Sequence, residues 1–437
     1  MKRTALILPL ALLAGLLLVH AQGDKAAPVS VAPHVPASWK AGFASTVITP
    51  GKFIWMAGYA ARKKPAEGKA QELYAKALAL EDEAGVRQVV LTMDLIGVPK
   101  GIRRRVAERI EADYGIPPEG LLMNASHTHS GPELRRRPEP PTEEELANEK
   151  VRDAWEYTRE LEDKLVAVAG AALDDLQPAR LTWNQARCGF SMNRRRDYTL
   201  PEGHPFANKA PNPAGPVDQA VPALRVESPE GEARGVLFGY ACHNTCLGFY
   251  EWCGDYAGYA QEYLEQHRPG FTAMFVAGCG GDQNPYPRRS GVVPGVSDLE
   301  LAQQHGRSLA NAVEMAMTAN PIGVAGPLRR AYGEVTLPYE NAERAPHSYP
   351  VQVIQFGDAL TLVTLGSEVV VDYSLRLKRE LAGDAGIWVA GYSNDYSGYI
   401  PSDRIQDEGG YEAATGWARG IEEAIVSKVH ELHGGLE

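Results

Sequence analysis

The sequence predicts an α/β fold in which mixed β-sheets are flanked by helices, in an αββα layering, as one large domain. Three observations predict it. Short apolar runs recur along the chain and each ends in small, polar or ionisable residues; stretches with apolar residues at helical spacing lie between them; and no repeat or long linker divides the 437 residues. A hydrophobic content of 44% supports a substantial core. Lys and Arg number 44 against 55 Asp and Glu, a formal charge of −11, which argues against nucleic acid as a partner.

The chain opens with MKRTALILPLALLAGLLLVHAQGD. Lys2 and Arg3, an apolar run, and Val19 and Ala21 spaced like a signal-peptidase site read as an export signal over residues 1–21, cleaved after Ala21 into the periplasm or medium. The run is short for a span of roughly 20 residues, so an uncleaved anchor is the weaker reading. Residues 22–38 are a Pro- and Ala-rich disordered leader, and the folded domain occupies 39–437. Its apolar runs read as buried strands. VVLTMD closes on Asp94, LLMNASHTH on His127 and His129, and GVLFGYACHN on His243. Further on, MFVAGCGGDQN closes on Asp282, LTLVTLGSE on Glu368, and IWVAGYSNDY on Asp395 and Tyr396. GIRRRVAERIEADYG, DYAGYAQEYLEQHR and DLELAQQHGRSLANAVEMAM are the helices between them. RRRPEPPTEEELANEK, 135–150, reads as a solvated excursion, and LPEGHPFANKAPNPAGP, 200–216, as a surface insertion rather than a loop over a site.

Reactive side chains gather at the carboxyl ends of strands in α/β folds, and six strands here deliver such residues there. His127 and His129 are placed on one extended segment, where alternate side chains face the same way. Alone, the pair also fits two histidines hydrogen-bonded in a loop. His243 and Glu368, each closing another strand, complete a His, His, Glu set suited to zinc, and Asp94 and Asp282 are expected to hold the second ring nitrogens. Five cysteines, Cys188, Cys242, Cys246, Cys253 and Cys279, match no paired zinc spacing and read as a disulfide or buried free thiols.

With these residues in hand, the chain resembles the neutral/alkaline non-lysosomal ceramidases, zinc-dependent amidases that cleave the N-acyl bond of ceramide. The likeness is carried by AGFASTVITPG and MAGYAAR within 41–62, by ASHTHSGP, and by CHNTCLGFYEWCGDYAGYAQEYLEQ. It continues in LGSEVVVDYSLRLKRE, GYSNDYSGYIPSD and GGYEAATGW, and so covers nearly the whole mature chain. The resemblance implies zinc ligands at His127, His243, Glu368 and Tyr399, and it places His129, Arg194 and Tyr411 around the substrate amide. It also implies a small-molecule or lipid N-acyl substrate and transient contact with a membrane surface.

Two departures are present. The family's Gly-Asp-x-Ser-Pro-Asn signature appears as GGDQNPY, so Asn284 stands where the family's serine is taken as nucleophile. An amide has no ionisable oxygen, which shifts the expectation to direct attack by metal-activated water, with Asn284 as a hydrogen-bond donor. The chain also stops near residue 437, where longer ceramidases continue into an immunoglobulin-like domain. Hydrolysis of another small amide or an ester, or a catalytically silent ligand-binding role, therefore stand beside the N-acyl amidase reading.

Overall fold

Thirteen strands and six long helices carry the architecture of the computed structural model, which describes residues 37–436 other than 138, 202, 205–210, 290, 291 and 384. The expected export signal and most of the leader lie outside the described residues. In chain order the strands are β1 (Trp39–Val47), β2 (Tyr74–Asp82), β3 (Arg87–Met93), β4 (Leu121–Ala125), β5 (Gln177–Arg187), β6 (Ala220–Glu227) and β7 (Ala233–Tyr240). They continue as β8 (Thr272–Ala277), β9 (Ile322–Val324), β10 (Leu328–Leu337), β11 (His347–Phe356), β12 (Leu360–Leu365) and β13 (Gly386–Ala390). The helices are α1 (Lys100–Tyr114), α2 (Glu149–Asp174), α3 (Asp255–Glu265), α4 (Asp298–Thr318), α5 (Val371–Glu380) and α6 (Ile421–Gly434).

One sheet has the order β8-β7-β6-β5-β1-β2-β3-β4, with β9 added on β5, and a second has the order β10-β11-β12-β13. Helices α1 to α4 cover the outer face of the large sheet, while α5 and α6 cover the small one. This is the αββα layering expected from the sequence. Alternation along each strand explains the continuously apolar runs, because both faces are buried. In β3, Val89, Leu91 and Met93 pack under the helices while Val90 points to the space between the sheets. In β7, Val236, Phe238 and Tyr240 pack against α3 and α4 while Leu237 points inward. In β12 the inward pair is Leu360 and Leu362, and Val363 and Leu365 face the second helical layer. The helix starts follow local chemistry: Ser297 and Glu300 form a reciprocal capping box at α4.

Most neighbouring strands are antiparallel, but β3 with β4, β7 with β8, and β12 with β13 run parallel. These three pairs are the six runs singled out in the sequence. Their carboxyl ends are drawn together by Asn124, fully buried near the end of β4. Its Oδ1 accepts from Ala277 N at 2.9 Å, and its Nδ2 donates to Gly391 O at 2.7 Å and to Ser393 Oγ at 3.0 Å. One side chain thereby ties the ends of β4, β8 and β13.

Candidate metal centre

Strand β4 stops at Ala125, and His127 lies in the left-handed region at φ 61°. A turn, not the expected extended segment, therefore sets its direction relative to His129. His127 Nδ1 donates to the Ile96 carbonyl at 2.7 Å, and His243 Nδ1 donates to the Gly280 carbonyl at 2.6 Å. A carbonyl only accepts, so both rings keep a proton on Nδ1 and, when neutral, present a lone pair on Nε2. Both Nε2 atoms face Glu368 Oε2, at 3.3 and 3.2 Å. His129 Nε2 lies 3.1 Å from His127 Nε2, and the ligand atoms of the three imidazoles fall within 4.8 Å of one another.

Acceptors converging in this way need a cation between them. Burial pushes His243 down to about 4, with the like charge of Arg194 adding to it, and burial also holds His129 well below the ordinary imidazole value. Glu368 is as deeply buried, which alone would push its carboxyl up, yet facing His127 and His243 hold it well below the usual range. That depression requires something opposite the carboxylate to supply positive charge. A metal ion does, so the donor set fits one.

The carboxylates expected behind the histidines do other work. Asp94 Oδ2 accepts from Tyr74 N at 3.0 Å. Asp282 accepts from Val371 N and Asn193 Nδ2, both at 3.0 Å, and so braces the start of α5. Desolvation pushes both carboxyls up to about 6. Backbone carbonyls fix the tautomers instead. All five cysteines are free and buried, with burial pushing each thiol up, which answers the disulfide alternative and disfavours thiolate ligands.

Tyr399 pairs in register with Glu368 across the short parallel strands Glu368–Val369 and Tyr399–Ile400, and its hydroxyl is 3.4 Å from His243 Nε2. Tyr396 donates to Glu368 Oε1 at 3.4 Å. Arg194 follows the strand Ser191–Asn193, which pairs with Gln283–Pro285 so that Met192 opposes Asn284. Its Nε donates to Glu412 at 3.0 Å, and its guanidinium lies 5.4 Å from the Tyr399 ring centre and 5.7 Å from that of Tyr411. Tyr411 is 70% exposed. Asn284 lines a cavity with Arg194, Arg288 and Tyr411, and its Oδ1 accepts from Thr245 Oγ1 at 3.4 Å.

The structure thus brings His127, His129, His243, Glu368 and Tyr399 into one centre and sets Arg194, Tyr411 and Asn284 along its outer side. The insertion at 200–216 is not remote: Asn212 N donates to Asn193 O at 2.8 Å and Pro211 lines the adjoining cavity. Sequence reasoning named Tyr396 only as a residue that ends a strand and gave no role to Asn124, Thr245, Arg288 or Gly58. A Cβ on Gly58, itself at φ 99°, would lie 2.6 Å from the His129 ring. Tyr396 carried the one usable signal, three residues before Tyr399 at a strand end.

Residues 40–286 match the family model described as neutral/alkaline non-lysosomal ceramidase, N-terminal. The chain is 32% identical over 101 residues to a neutral ceramidase of Drosophila melanogaster, an alignment covering 22% of this chain and 14% of that protein. It is 31% identical over 99 residues to the neutral ceramidase of Drosophila pseudoobscura pseudoobscura, with the same two shares, so the alignments span only a small part of these relatives. Its fold resembles that of a ceramidase complexed with C2, at TM-score 0.72 and 19% identity, covering 91% of this chain and 76% of the other. A neutral ceramidase from Pseudomonas aeruginosa gives TM-score 0.72 at 19% identity, with 90% and 73% covered.

Proposed function

Because the chain belongs to the neutral/alkaline non-lysosomal ceramidase family, we propose that it is an exported zinc hydrolase that cleaves the amide bond of an N-acyl lipid or related N-acyl compound. The observation that carries the reading is the convergence of two Nε2 lone pairs, fixed by carbonyl acceptors at Nδ1, on one oxygen of a buried carboxylate. His127, His243 and Glu368 would hold the zinc, with the Tyr399 hydroxyl beside them. When bound, zinc supplies Lewis acidity that polarises an acyl carbonyl and makes water nucleophilic near neutral pH.

The chain's own residues supply the rest. His129 is kept neutral by burial and turns its Nε2 to the centre, 3.1 Å from His127 Nε2, so this ring takes the proton of the attacking water and returns it to the leaving amine nitrogen. Arg194 packs over Tyr399 and holds the phenol in place. Asn284 offers its Nδ2 hydrogens to the oxygen that gains charge, because its Oδ1 is engaged by Thr245. No acyl-enzyme forms on this route, since an amide side chain is no nucleophile.

Hydrolysis of N-acyl amides by zinc-loaded protein, followed by rapid quench, tests the proposal. Turnover without a burst and without an acylated residue is expected. A trapped acyl adduct overturns direct attack by water, and inactivity towards every N-acyl amide and ester leaves the ligand-binding reading. Export rests on Lys2, Arg3 and the apolar run, and an amino terminus at Gln22 in the secreted protein is the expected result.

A further inference from the structure

The cavity that opens beside the centre has a volume of 360 Å³ and is walled by Arg194, Arg195, Arg196, Arg288, Asn284 and Tyr198, together with Tyr411 and Glu412. Four guanidinium groups on one small wall are unexpected in a chain of formal charge −11. Their carboxylate partners do not match them in number. Glu412 is shared, with Oε1 on Arg194 at 3.0 Å and Oε2 on Arg195 at 2.5 Å, and Glu408 also serves Arg195. Among the described residues, Arg196 and Arg288 have no carboxylate partner. Arg196 packs over the Tyr198 ring at 5.6 Å with its buried Nε unpartnered, and a buried Nη2 of Arg194 also lacks a hydrogen-bond partner. Arg288 is partly buried, and burial lowers it, with the like charge of Arg289 adding to the effect. Keeping such a group desolvated beside other cations is unfavourable unless an anion joins them.

The polar groups of this wall are arranged as donors. Arg288 Nη1 donates to Thr245 Oγ1 at 3.4 Å, and Thr245 Oγ1 donates to Asn284 Oδ1 at 3.4 Å, which turns the Asn284 amide hydrogens outward. A hydroxyl-bearing neutral head group needs acceptors as well as donors. A carboxylate or phosphate accepts from all of these and is matched by the guanidinium fork.

We infer that the substrate is an N-acyl compound whose head group carries an anion, a carboxylate or a phosphate, received by Arg288 and Arg196 in this cavity. The inference rests on the N-acyl hydrolase reading and names its substrate class.

Two matched pairs of probes test it: N-lauroylglycine against N-lauroylglycinamide, and N-lauroyl-phosphoethanolamine against N-lauroylethanolamine. Within each pair the acyl chain is constant and only the charge of the head changes. Binding by calorimetry and kcat/KM are both measured. The charged member of at least one pair is expected to be favoured, the margin to fall about 10- to 100-fold in Arg288→Gln, and to shrink as salt rises. Arg196→Gln serves if Arg288→Gln does not fold, and Arg307→Gln on the exposed side of α4 is the control. The favoured pair tells carboxylate from phosphate. Equal binding of charged and neutral members, or a margin untouched by Arg288→Gln and Arg196→Gln, overturns the inference. Absence of hydrolysis with the binding margin intact overturns the hydrolase reading alone.

Discussion

The two sides of the site are built differently. On one side His127, His243 and Glu368 are buried, sit at the ends of three parallel strand pairs, and are aimed by backbone carbonyls and by the Asn124 tie. On the other, Arg194, Asn284, Arg288 and Tyr411 hang from a short strand pair and loops, held by ion pairs and ring contacts, with Tyr411 largely exposed. The difference teaches that the centre is fixed by main chain and the wall by side chains. Substitutions on the wall are therefore expected to change what binds while leaving the fold intact, whereas changes behind the centre disturb the fold and the chemistry together.

Removing a group from the centre should have the largest effect. Glu368→Ala leaves two Nε2 lone pairs without their carboxylate, and both metal content and N-acyl hydrolysis should fall to background. Retained metal would break the claim that this carboxylate belongs to the donor set. Asn284→Ala, on the wall, should slow the reaction by roughly 10² to 10³, the usual worth of one donor to a developing oxyanion, without loss of metal. An unchanged rate would leave Asn284 with no part in the chemistry. Behind the centre, Asn124→Ala strands the buried Ala277 amide, at about 1 to 3 kcal/mol, while the Gly391 carbonyl keeps the Ser393 hydroxyl as donor, so denaturant unfolding should show a loss of about 1 to 3 kcal/mol. A loss no larger than that of an exposed residue would mean that the strand ends hold together without it.

The stability of the wall should answer more to pH than to an exposed substitution. Burial pushes Glu412 up, but Arg194 and Arg195 outweigh it and lower its folded pKa below the ordinary value. Its contribution to stability is then present above the unfolded carboxylate pKa of about 4.3 and is lost as pH falls through the lower folded value. Unfolding free energy should decline with acid in that window, more steeply for the parent than for Glu412→Gln. Equal slopes would remove Glu412 from the acid limb. Tyr411→Ala, an exposed change, should alter stability by no more than about 0.5 kcal/mol.

Much of this was legible in the sequence because strands buried on both faces leave continuous apolar runs, and because the residue that ends such a run has few places to go. All six runs became strands, and their last residues include the centre. Periodicity could not reveal the left-handed turn at His127, nor that carbonyls of Ile96 and Gly280, rather than Asp94 and Asp282, hold the rings. Backbone groups leave no mark in a sequence. The Asn124 tie was hidden for a related reason: an asparagine near the end of a strand looks like an ordinary boundary, and only tertiary pairing gives it Ala277, Gly391 and Ser393 as partners. Arg288 lay unremarked beside Arg289 after a proline, where arginines are usually solvated.

Metal analysis of dialysed, folded protein tests the central claim most directly. One zinc per chain is predicted, lost in His127→Ala and in His243→Ala and largely kept in His129→Ala, because the proposed ligand set does not include that ring. A ratio near zero in folded protein, or a ratio unchanged by His243→Ala, would contradict the account.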